Sequence, residues 1–328
     1  MSTDSSNGES EERKRMEKED RVPVLAEVVT DVSLREGSQQ AVDYRDAPVE
    51  TKIALLERSV AAGIVHAEIT AFGAGPWFRD AAALIAGALS LPERVKLRVL
   101  YFNAEGLSRL LATDPRIGRE GIFHTAVTAN YRWKNYRQRS VAHAVEKMKR
   151  LFPLFQAHGL AFDTLVLSCL WGESHEAVSE AKAIEFCGTL VEAAEREGFP
   201  VRRLTLADTE GRATPDAIGE RTGAFRRAWP EKILRAHLHP PKWSAAECVE
   251  AALEGGIEEW EGAWGGVGGS PFADAPGGNL DIRWLVRLWR RRGWPTGLDP
   301  EGIEAIVDFL RATIEREVEE IPLGDGEE

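Results

Sequence analysis

The sequence predicts an α/β protein, a (β/α)8 TIM barrel followed by a short C-terminal helical extension. Eight short runs of strand-forming residues alternate with longer stretches of helical periodicity over about 250 residues, which is the arrangement typical of this barrel. The turn after the first run, residues 31–39, holds a single glycine, whereas a doubly wound sheet more often has a glycine-rich phosphate-binding turn there. Both observations favour the barrel.

The predicted strands are rich in β-branched and aromatic residues. In chain order they are Val24–Thr30, Ile64–Thr70, Lys96–Phe102, Gly121–Val127, Phe162–Ser168, Val201–Ala207, Ile233–His239 and Ile257–Ala263. Between them, apolar residues at three- and four-residue spacing predict helices. These are Val49–Ala62, Arg137–Ala157, His175–Glu197, Pro215–Ala228 and Ser244–Leu253. Pro215 followed by Asp216 is a helix-start signal, and Gly198 is a helix-stop signal.

Composition divides the 328 residues into four segments. Residues 1–21 are almost all polar or charged, which predicts a disordered N-terminal tail. Residues 22–295 form the predicted catalytic barrel, and 296–318 form a C-terminal helix packed on it. Residues 319–328 form an acidic tail.

The charge pattern restricts the class of partner. The formal net charge is −12, and residues 315–328 alone hold seven acids and one base. No basic surface for nucleic acid is indicated. The longest apolar run, residues 81–91, is shorter than the ~18 residues that a membrane helix needs. Three cysteines do not predict a disulfide framework, and the first 21 residues lack an apolar signal core, so we expect a cytoplasmic protein that acts on a small molecule.

Reactive side chains collect at the carboxyl ends of the predicted strands, where barrels of this kind carry their active sites. They follow or end strands one, two, three, five, six and seven, and one comes late in the loop after strand eight. They are Arg35, Glu36, Glu68, Asn103, Ser168, Asp208, Thr209, His237, His239 and Asn279.

The sharpest of these signals is the pair His237 and His239. Side chains at i and i+2 of a strand project to the same face, so both imidazoles can reach one cation. Glu36 and Asn279 would add oxygen ligands. A mixed nitrogen and oxygen site fits Mg²⁺, Mn²⁺, Co²⁺ or Zn²⁺ and argues against a structural thiolate zinc site.

Several of these residues also have a structural interpretation. Arg35 beside Glu36 is compatible with a surface ion pair, and Asp208-Thr209 with a helix N-cap. Glu68 lies within an apolar run, and a buried carboxylate needs a partner, which Arg35 could supply. Five tryptophans fall in segments at the same end of the barrel and indicate either loop packing or an apolar substrate pocket. They are Trp77, Trp133, Trp171, Trp243 and Trp264.

The string Asp31-Val-Ser-Leu-Arg-Glu-Gly-Ser-Gln39 resembles the signature opening of the DRE-TIM metallolyases. That superfamily contains hydroxymethylglutaryl-CoA lyase, isopropylmalate and homocitrate synthases and carboxyltransferase domains. The resemblance covers about residues 22–315 and is carried in order by further motifs. They are Ala67-Glu-Ile-Thr-Ala-Phe72, Leu206-Ala-Asp-Thr-Glu-Gly211, His237-Leu-His239, Gly265-Gly-Val-Gly-Gly-Ser-Pro-Phe-Ala273, Gly278-Asn-Leu280 and Gly293-Trp-Pro-Thr-Gly-Leu-Asp299.

The resemblance implies a role for each candidate residue. The metal ligands would be Glu36, His237, His239 and Asn279. Arg35 would stabilise an enolate oxygen with Glu68 holding it in place, and Asp208 and Thr209 would lie beside the substrate, Asp208 as a candidate for proton transfer. We expect further substrate contacts from Gln39, Asn103, Ser168 and Trp171. The implied substrate is a hydroxy acid, an oxo acid or an acyl-CoA, and we expect a homodimer.

Three departures from the family pattern affect the expected activity. Glu36 replaces the usual Asp, as it does in homocitrate synthases, and Ser270 stands where hydroxymethylglutaryl-CoA lyases have a catalytic cysteine. Pro240-Pro-Lys-Trp243 follows the histidines, where polar or acidic residues are usual. The leading hypothesis is a metal-dependent carbon–carbon lyase or aldolase. The alternatives are a Claisen-type synthase that condenses an acyl-CoA with a 2-oxo acid, and a binding protein without catalysis.

Overall fold

The computed structural model describes residues 22–73, 76–273 and 278–323. Its strands are all parallel. They are β1 (Val29–Asp31), β2 (His66–Phe72), β3 (Lys96–Tyr101), β4 (Ile117–Gly118), β5 (Gly121–Ala126), β6 (Phe162–Ser168), β7 (Arg203–Asp208), β8 (Ile233–Leu238) and β9 (Glu259–Gly262). The α-helices are α1 (Leu25–Val28), α2 (Ser33–Gly37), α3 (Val49–Ala61), α4 (Ala81–Ala88), α5 (Ala104–Leu111), α6 (Ala129–Tyr136), α7 (Val141–Lys149), α8 (Phe152–Ala157), α9 (Glu180–Arg196), α10 (Pro215–Ala228), α11 (Ala245–Glu254), α12 (Ile282–Arg291) and α13 (Pro300–Thr313).

The sheet curls into a barrel, which confirms the predicted fold class. Its strand order is β4-β3-β2-β1-β9-β8-β7-β6-β5, so β1 pairs with both β2 and β9. The two ends of this order, β4 and β5, are successive pieces of one strand that only residues 119 and 120 separate. The ladder therefore contains eight strands, of which the fourth is interrupted.

The side chain of Tyr101 bridges this interruption. Its hydroxyl accepts a hydrogen bond from the backbone N–H of Ile122 at 2.6 Å and donates one to the carbonyl of Glu120 at 2.9 Å. The ring is 1% exposed. A tyrosine hydroxyl thus satisfies two backbone groups at the interruption, of which the Ile122 N–H is buried.

The first predicted strand differs most from the structure. Only Val29–Asp31 is extended, and Leu25–Val28 forms a helical turn. The N–H groups of Leu25 and Ala26 donate to the carbonyls of Pro295 and Thr296 instead of joining the sheet. Buried apolar residues in a helical turn can have the same composition as a strand, so the local sequence pattern does not distinguish these two structures here.

Two predicted helices also differ in extent. Residues 137–157 form two helices, α7 and α8, and Arg137 has a left-handed φ of 53° where it ends the preceding helix α6. The helix predicted from His175 begins at Glu180, because Ser179 caps it by accepting the N–H of Lys182 at 3.2 Å. The helix Pro215–Ala228 is confirmed over its whole range.

The C-terminal helix α13 lies against α3 on the outside of the barrel. The guanidinium carbon of Arg58 lies 4.2 Å from the centre of the Phe309 ring, and the N–H of Asp299 donates to the carbonyl of Ala62 at 2.8 Å. The expected tails lie outside the described residues, except for 319–323. No described helix is long and apolar enough to cross a membrane.

Candidate active site

A cavity of about 80 Å³ opens at the carboxyl ends of the strands. Nine of the residues predicted for the site line it: Arg35, Glu36, Gln39, Glu68, Ser168, Thr209, His237, His239 and Ser270. Most of them come from opposite ends of the sequence, which the ladder from β2 through β1 and β9 to β8 brings together, and Ser168 and Thr209 come from the ends of β6 and β7.

Arg35 and Glu36 lie on the short helix α2, which directly follows β1 and faces the cavity. The Nε of Arg35 donates to Oε1 of Glu68 at 2.5 Å, and its Nη1 forms an ion pair with Glu36. All three side chains are buried. Burial alone would raise the pKa of Glu36, but the Arg35 guanidinium and then His237 hold that pKa below its ordinary value. The interpretation of Arg35 and Glu36 as a surface ion pair is therefore wrong, because the pair is buried.

The two histidines face one another, as their strand spacing predicts. Their Nε2 atoms lie 3.1 Å apart, and Nε2 of His237 lies 3.7 Å from Oε1 of Glu36. The Nδ1 of His237 lies 2.9 Å from Oε2 of Glu261. A carboxylate on Nδ1 orients the ring and leaves Nε2 directed at the cavity, as such partners do for metal-binding histidines.

The fourth predicted ligand, Asn279, does not line this cavity but a neighbouring one, together with Gly265, Gly266 and Gly278. Its Nδ2 donates to the carbonyl of Val267 at 2.7 Å, and its Oδ1 is buried without a hydrogen-bond partner among the described residues. Gly268 contacts both Glu36 and Asn279, since a Cβ on it would lie 2.4 Å from Glu36 Cβ and 2.5 Å from Asn279 Nδ2. An unsatisfied buried amide oxygen close to the Glu36 side chain is compatible with a cation site.

The spacing of these donors can be tested against ion geometry. Two nitrogens each ~2.0–2.1 Å from one ion and ~90–110° apart are separated by ~2.8–3.4 Å, and the two Nε2 atoms lie 3.1 Å apart. Within the described ranges, no three His, Cys, Asp or Glu side chains form a metal site by themselves. The spacing of the two imidazole nitrogens is therefore that of two ligands of one ion.

Two serines of the cavity are paired with tyrosines that the sequence analysis did not single out. Ser270 Oγ lies 2.5 Å from the hydroxyl of Tyr131, and Ser168 Oγ lies 2.8 Å from that of Tyr136. Burial raises the pKa of Tyr131 well above its ordinary value, so the phenol is neutral. Thr209 Oγ1 accepts the N–H of Cys169 at 2.9 Å.

Three residues predicted for the site do not line the cavity, and their side chains form hydrogen bonds with backbone groups instead. Asp208 accepts from the N–H groups of Arg212 at 3.2 Å and Ala213 at 3.0 Å. Asn103 is exposed and caps α5 by accepting the N–H of Gly106 at 2.8 Å. The indole of Trp171 donates to the carbonyl of Ala217 at 2.9 Å.

The tryptophans do not form the pocket wall either, since none lines the cavity in the described structure. Trp264 is fully buried and donates to Ser59, whereas Trp243 is 81% exposed. The aromatic lining comes from Phe102, His124, Tyr131 and Tyr136.

Glu261 and Arg98 are further residues of the site that sequence reasoning missed. Glu261 contacts His237 and also Arg235 at 3.2 Å, and Arg98 lies 3.4 Å from it. The sequence did contain a signal for Glu261. Glu259 and Glu261 are two residues apart on a predicted strand, so their side chains point to the same face of that strand, which is the face towards the barrel interior. Buried charges on strands imply partners on neighbouring strands.

Comparisons with known proteins identify the family of this chain. Residues 28–310 match the family model described as HMGL-like. The (R)-citramalyl-CoA lyase of Chloroflexus aurantiacus is 26% identical over 301 residues, which cover 89% of this chain and 92% of that protein. The mitochondrial hydroxymethylglutaryl-CoA lyase of Bos taurus is 26% identical over 292 residues, covering 88% and 86% of the two chains.

Solved structures show the same fold. The HMG-CoA lyase from Brucella melitensis superposes with a TM-score of 0.73 at 23% identity, covering 88% of this chain and 99% of that one. An HMG-CoA lyase from Acinetobacter baumannii, solved in complex with coenzyme A and 3-methylmalate, gives 0.73 at 22% identity over 90% and 95% of the chains. This chain belongs to the HMGL-like family and is a lyase of the DRE-TIM superfamily.

Proposed function

We propose that this lyase depends on a divalent metal ion and cleaves a carbon–carbon bond of a 3-hydroxyacyl-CoA through an enolate. The observation that carries the proposal is the convergence of Glu36, His237 and His239 beside the Arg35 guanidinium, with the unsatisfied Asn279 oxygen as the fourth ligand that we propose. Cleavage next to a carbonyl develops negative charge on its oxygen, which fixed positive groups in a water-poor cavity stabilise.

The residues of the chain have separable tasks in this proposal. Arg35 presents its guanidinium to the enolate oxygen, and Glu68, which is 1% exposed, fixes the direction of that guanidinium through Nε. Glu36, His237, His239 and Asn279 would hold Mg²⁺, Mn²⁺, Co²⁺ or Zn²⁺. Such an ion would orient the substrate oxygens and acidify the hydroxyl.

We assign Ser270 a different role from that of the cysteine in the related lyases. An unpaired hydroxyl is a far weaker acid than a thiol, whose ordinary pKa is ~8.5. Here the Ser270 hydroxyl is engaged with the neutral phenol of Tyr131. We therefore assign this pair to hydrogen bonding of the bound substrate, with no net proton transfer.

The names of the relatives support an acyl-CoA substrate. One acts on (R)-citramalyl-CoA, others are hydroxymethylglutaryl-CoA lyases, and the Acinetobacter structure contains coenzyme A. All of these are lyases and not synthases, which favours cleavage over condensation for this chain as well.

The proposal is tested by metal binding and by cleavage measured on the same samples. The chelated protein is titrated with Mg²⁺, Mn²⁺, Co²⁺ and Zn²⁺ by calorimetry, and release of free acyl-CoA from 3-hydroxyacyl-CoAs is assayed with each ion. We expect one ion per chain, and loss of both binding and cleavage in His237→Ala/His239→Ala and in Asn279→Ala.

Asn103→Ala is the matched control, because Asn103 is also an asparagine near the strand ends but only caps a helix. It should keep its metal affinity. Full metal occupancy in the double histidine variant, or cleavage that is unaffected by chelation, would reject the proposal.

A further inference from the structure

The imidazole of His124 is a buried polar group of the cavity that has no task in the function proposed above. His124 lies on β5, is 9% exposed and lines the cavity. Its Nε2 is buried and has no hydrogen-bond partner among the described residues. Unsatisfied buried polar atoms are rare in folded proteins, and a ligand is one of the groups that complete them. The nitrogen therefore indicates a polar contact with the substrate.

The surroundings of His124 hold its ring in place. The ring centres of Phe102 and Tyr136 lie 5.0 and 6.2 Å from that of His124. The strand is fixed as well, since Gln138 Nε2 donates to the His124 carbonyl at 2.9 Å and Gln138 Oε1 accepts the Thr125 hydroxyl at 2.6 Å. A side chain that is ordered before a ligand arrives loses little conformational freedom when it forms a hydrogen bond to that ligand.

The His124 imidazole is neutral and lies near Arg35. Burial, and after it the Arg35 guanidinium, lower the pKa of His124 to about 3 from an ordinary value of 6.5. Arg35 is the charged group with the largest effect on that pKa, which indicates that the two side chains face each other across the cavity that both line. A neutral imidazole has one N–H donor and one acceptor nitrogen. It therefore donates a hydrogen bond without adding a second positive charge beside Arg35.

Arg35 also keeps one nitrogen for a ligand. Glu68 engages its Nε and Glu36 its Nη1, whereas no hydrogen bond or ion pair within the described residues engages Nη2. The cavity has a volume of only about 80 Å³, so Nη2 of Arg35 and Nε2 of His124 border one small space.

Arg98, a second arginine of the cavity lining, is less available to a ligand. Its Nη2 lies 3.0 Å from Oε2 of Glu120, and its Nη1 lies 3.4 Å from Oε1 of Glu261. The tyrosine and serine hydroxyls of the lining are paired with one another. Arg35 and His124 are therefore the two donors best placed to share one substrate oxygen.

Resting on the function proposed above, we propose that His124 donates a hydrogen bond from Nε2 to the thioester oxygen that Arg35 binds, and so is a second donor to the enolate. Negative charge on that oxygen grows from the substrate to the enolate. A donor fixed beside it therefore stabilises the transition state more than the ground state, which raises kcat. The same hydrogen bond satisfies the nitrogen that has no partner in the free protein.

No proton leaves His124 in this role. The bond between C2 and C3 of the substrate breaks, and its electron pair passes to the thioester enolate, whose oxygen accepts from Arg35 and His124. The C3 hydroxyl loses its proton and becomes a carbonyl, while C2 gains a proton. The products are an acyl-CoA and a second carbonyl compound, and neither an oxidant nor a reductant is needed.

The test compares two variants of His124 in the metal-loaded enzyme, with (R)-citramalyl-CoA and hydroxymethylglutaryl-CoA as substrates. His124→Phe keeps a ring but removes the donor, whereas His124→Gln keeps an N–H donor of similar reach. We expect His124→Phe to lower kcat ~10²-fold or more, the loss typical of one oxyanion donor, and to change KM by less than about three-fold. His124→Gln should keep kcat within about ten-fold of the wild type. His66→Phe is the control and should keep kcat, because His66 begins β2 and does not line this cavity.

Stability distinguishes this role from a structural one. Because His124→Phe removes a buried nitrogen that has no partner, its free energy of unfolding in urea should equal or exceed that of the wild type. Its metal affinity in calorimetry should also be unchanged. Lower stability together with lower activity in His124→Phe, without recovery in His124→Gln, would make His124 a structural residue and overturn the proposal.

The kinetic outcomes separate this proposal from the function on which it rests. A raised KM with unchanged kcat in His124→Phe would mean that His124 contacts the substrate equally in the ground state, which overturns its role at the enolate. Unchanged kcat and KM would overturn any contact with the substrate. Both results leave the proposed function standing. Cleavage of neither compound by the metal-loaded wild type would reject the proposed function, and the role of His124 with it.

Discussion

Arg35 shows how one residue serves both stability and the proposed chemistry. Its guanidinium bridges Glu36 and Glu68, and the Glu68 side chain is only 1% exposed. Removing one partner of a buried ion pair leaves an uncompensated charge and destabilises a protein by about 3–5 kcal/mol. A substitution of Arg35 alone therefore does not distinguish a loss of stability from a loss of catalysis.

A paired substitution separates the two effects. We expect Arg35→Met to lower kcat by ~10²-fold or more and also to reduce the free energy of unfolding. Arg35→Met/Glu68→Gln should regain part of that stability, because one of the two buried carboxylates that Arg35 pairs with is gone, but not the activity. Urea denaturation and steady-state kinetics on both variants measure this. Recovery of activity along with stability would show that Arg35 acts only structurally.

Asp208 gives a prediction at the scale of one titrating group. Burial raises the pKa of its carboxyl to about 6 from an ordinary value of 3.8, despite the opposing hydrogen bonds from Ala213 and Arg212. Between those two pH values the folded state holds more protons than the unfolded state, so stability falls as pH rises from about 4 to 6. The loss is about 3 kcal/mol at 1.36 kcal/mol per pH unit.

We expect Asp208→Asn to lack this fall, because an amide does not ionise. The measurement is the free energy of unfolding in urea at several pH values between 4 and 7, taken as the difference between variant and wild type. Asp216→Asn, an exposed aspartate nearby, is the control and should follow the wild type. Parallel curves for Asp208→Asn and wild type would contradict the prediction.

Ser270 tests the assignment of proton transfer. Since its hydroxyl is hydrogen-bonded to a neutral phenol, Ser270→Ala should lower kcat less than ~10-fold, and Tyr131→Phe should have a similar effect. The pH profile of kcat should keep its shape in both. A loss of 100-fold or more with an altered profile would instead make Ser270 a proton-transfer residue.

At the scale of elements, the glycine-rich loop after β9 is held in place by the segment after α13. Arg316 Nε and Nη2 lie 2.6 and 2.9 Å from the Asp43 carboxylate, and Nη2 also donates to the carbonyl of Gly268 at 3.0 Å. Asp43 accepts the N–H of Gly268 at 2.7 Å. Gly268 has a φ of 93° and touches Glu36, so only glycine suits this position.

We expect Arg316→Gln to weaken metal affinity and to lower kcat by about 10-fold, because the loop that seats Glu36 and Asn279 loses its clamp. Calorimetric metal titration and kinetics measure both. Arg316→Lys should recover part of the loss, and Arg311→Gln, which removes a surface pair with Glu320, should change neither value. An unchanged metal affinity in Arg316→Gln would contradict the proposal that Arg316 holds this loop in place for metal binding.

At the scale of the whole molecule, the C-terminal helix shares its core with the barrel. Leu310 is fully buried, and a Cβ on Gly265 would lie 2.9 Å from its Cδ1. The contact joins α13 to the loop that follows β9. We therefore expect the barrel and the extension to unfold as one unit.

Leu310→Ala should lower the free energy of unfolding by about 2–5 kcal/mol while keeping a single transition. Tryptophan fluorescence in urea follows the barrel, and circular dichroism follows all helices. Glu304→Ala, on the exposed face of the same helix, should change stability by less than about 0.5 kcal/mol. Two separated transitions in the variant would mean that α13 is an independent element.

The sequence by itself determined the alternation of strands and helices, the family, and the shared direction of His237 and His239. The strands, the helices and the histidine pair depend on residue spacing within one segment, where a period of two or 3.6 is a local property of the backbone, and the family is carried by short motifs in order along the chain. The need of Glu68 for a cation also followed from its apolar neighbours, and Arg35 meets it.

Only the tertiary structure decided which polar side chains at the strand ends turn into the cavity. Asn103, Asp208 and Trp171 satisfy nearby backbone instead, and this depends on loop conformations that the sequence pattern does not reveal. The closure of the barrel through Tyr101 and the ring contacts of His124 with Phe102 and Tyr136 join segments that are distant in the sequence. Such contacts arise from how the barrel closes, and no local periodicity encodes them.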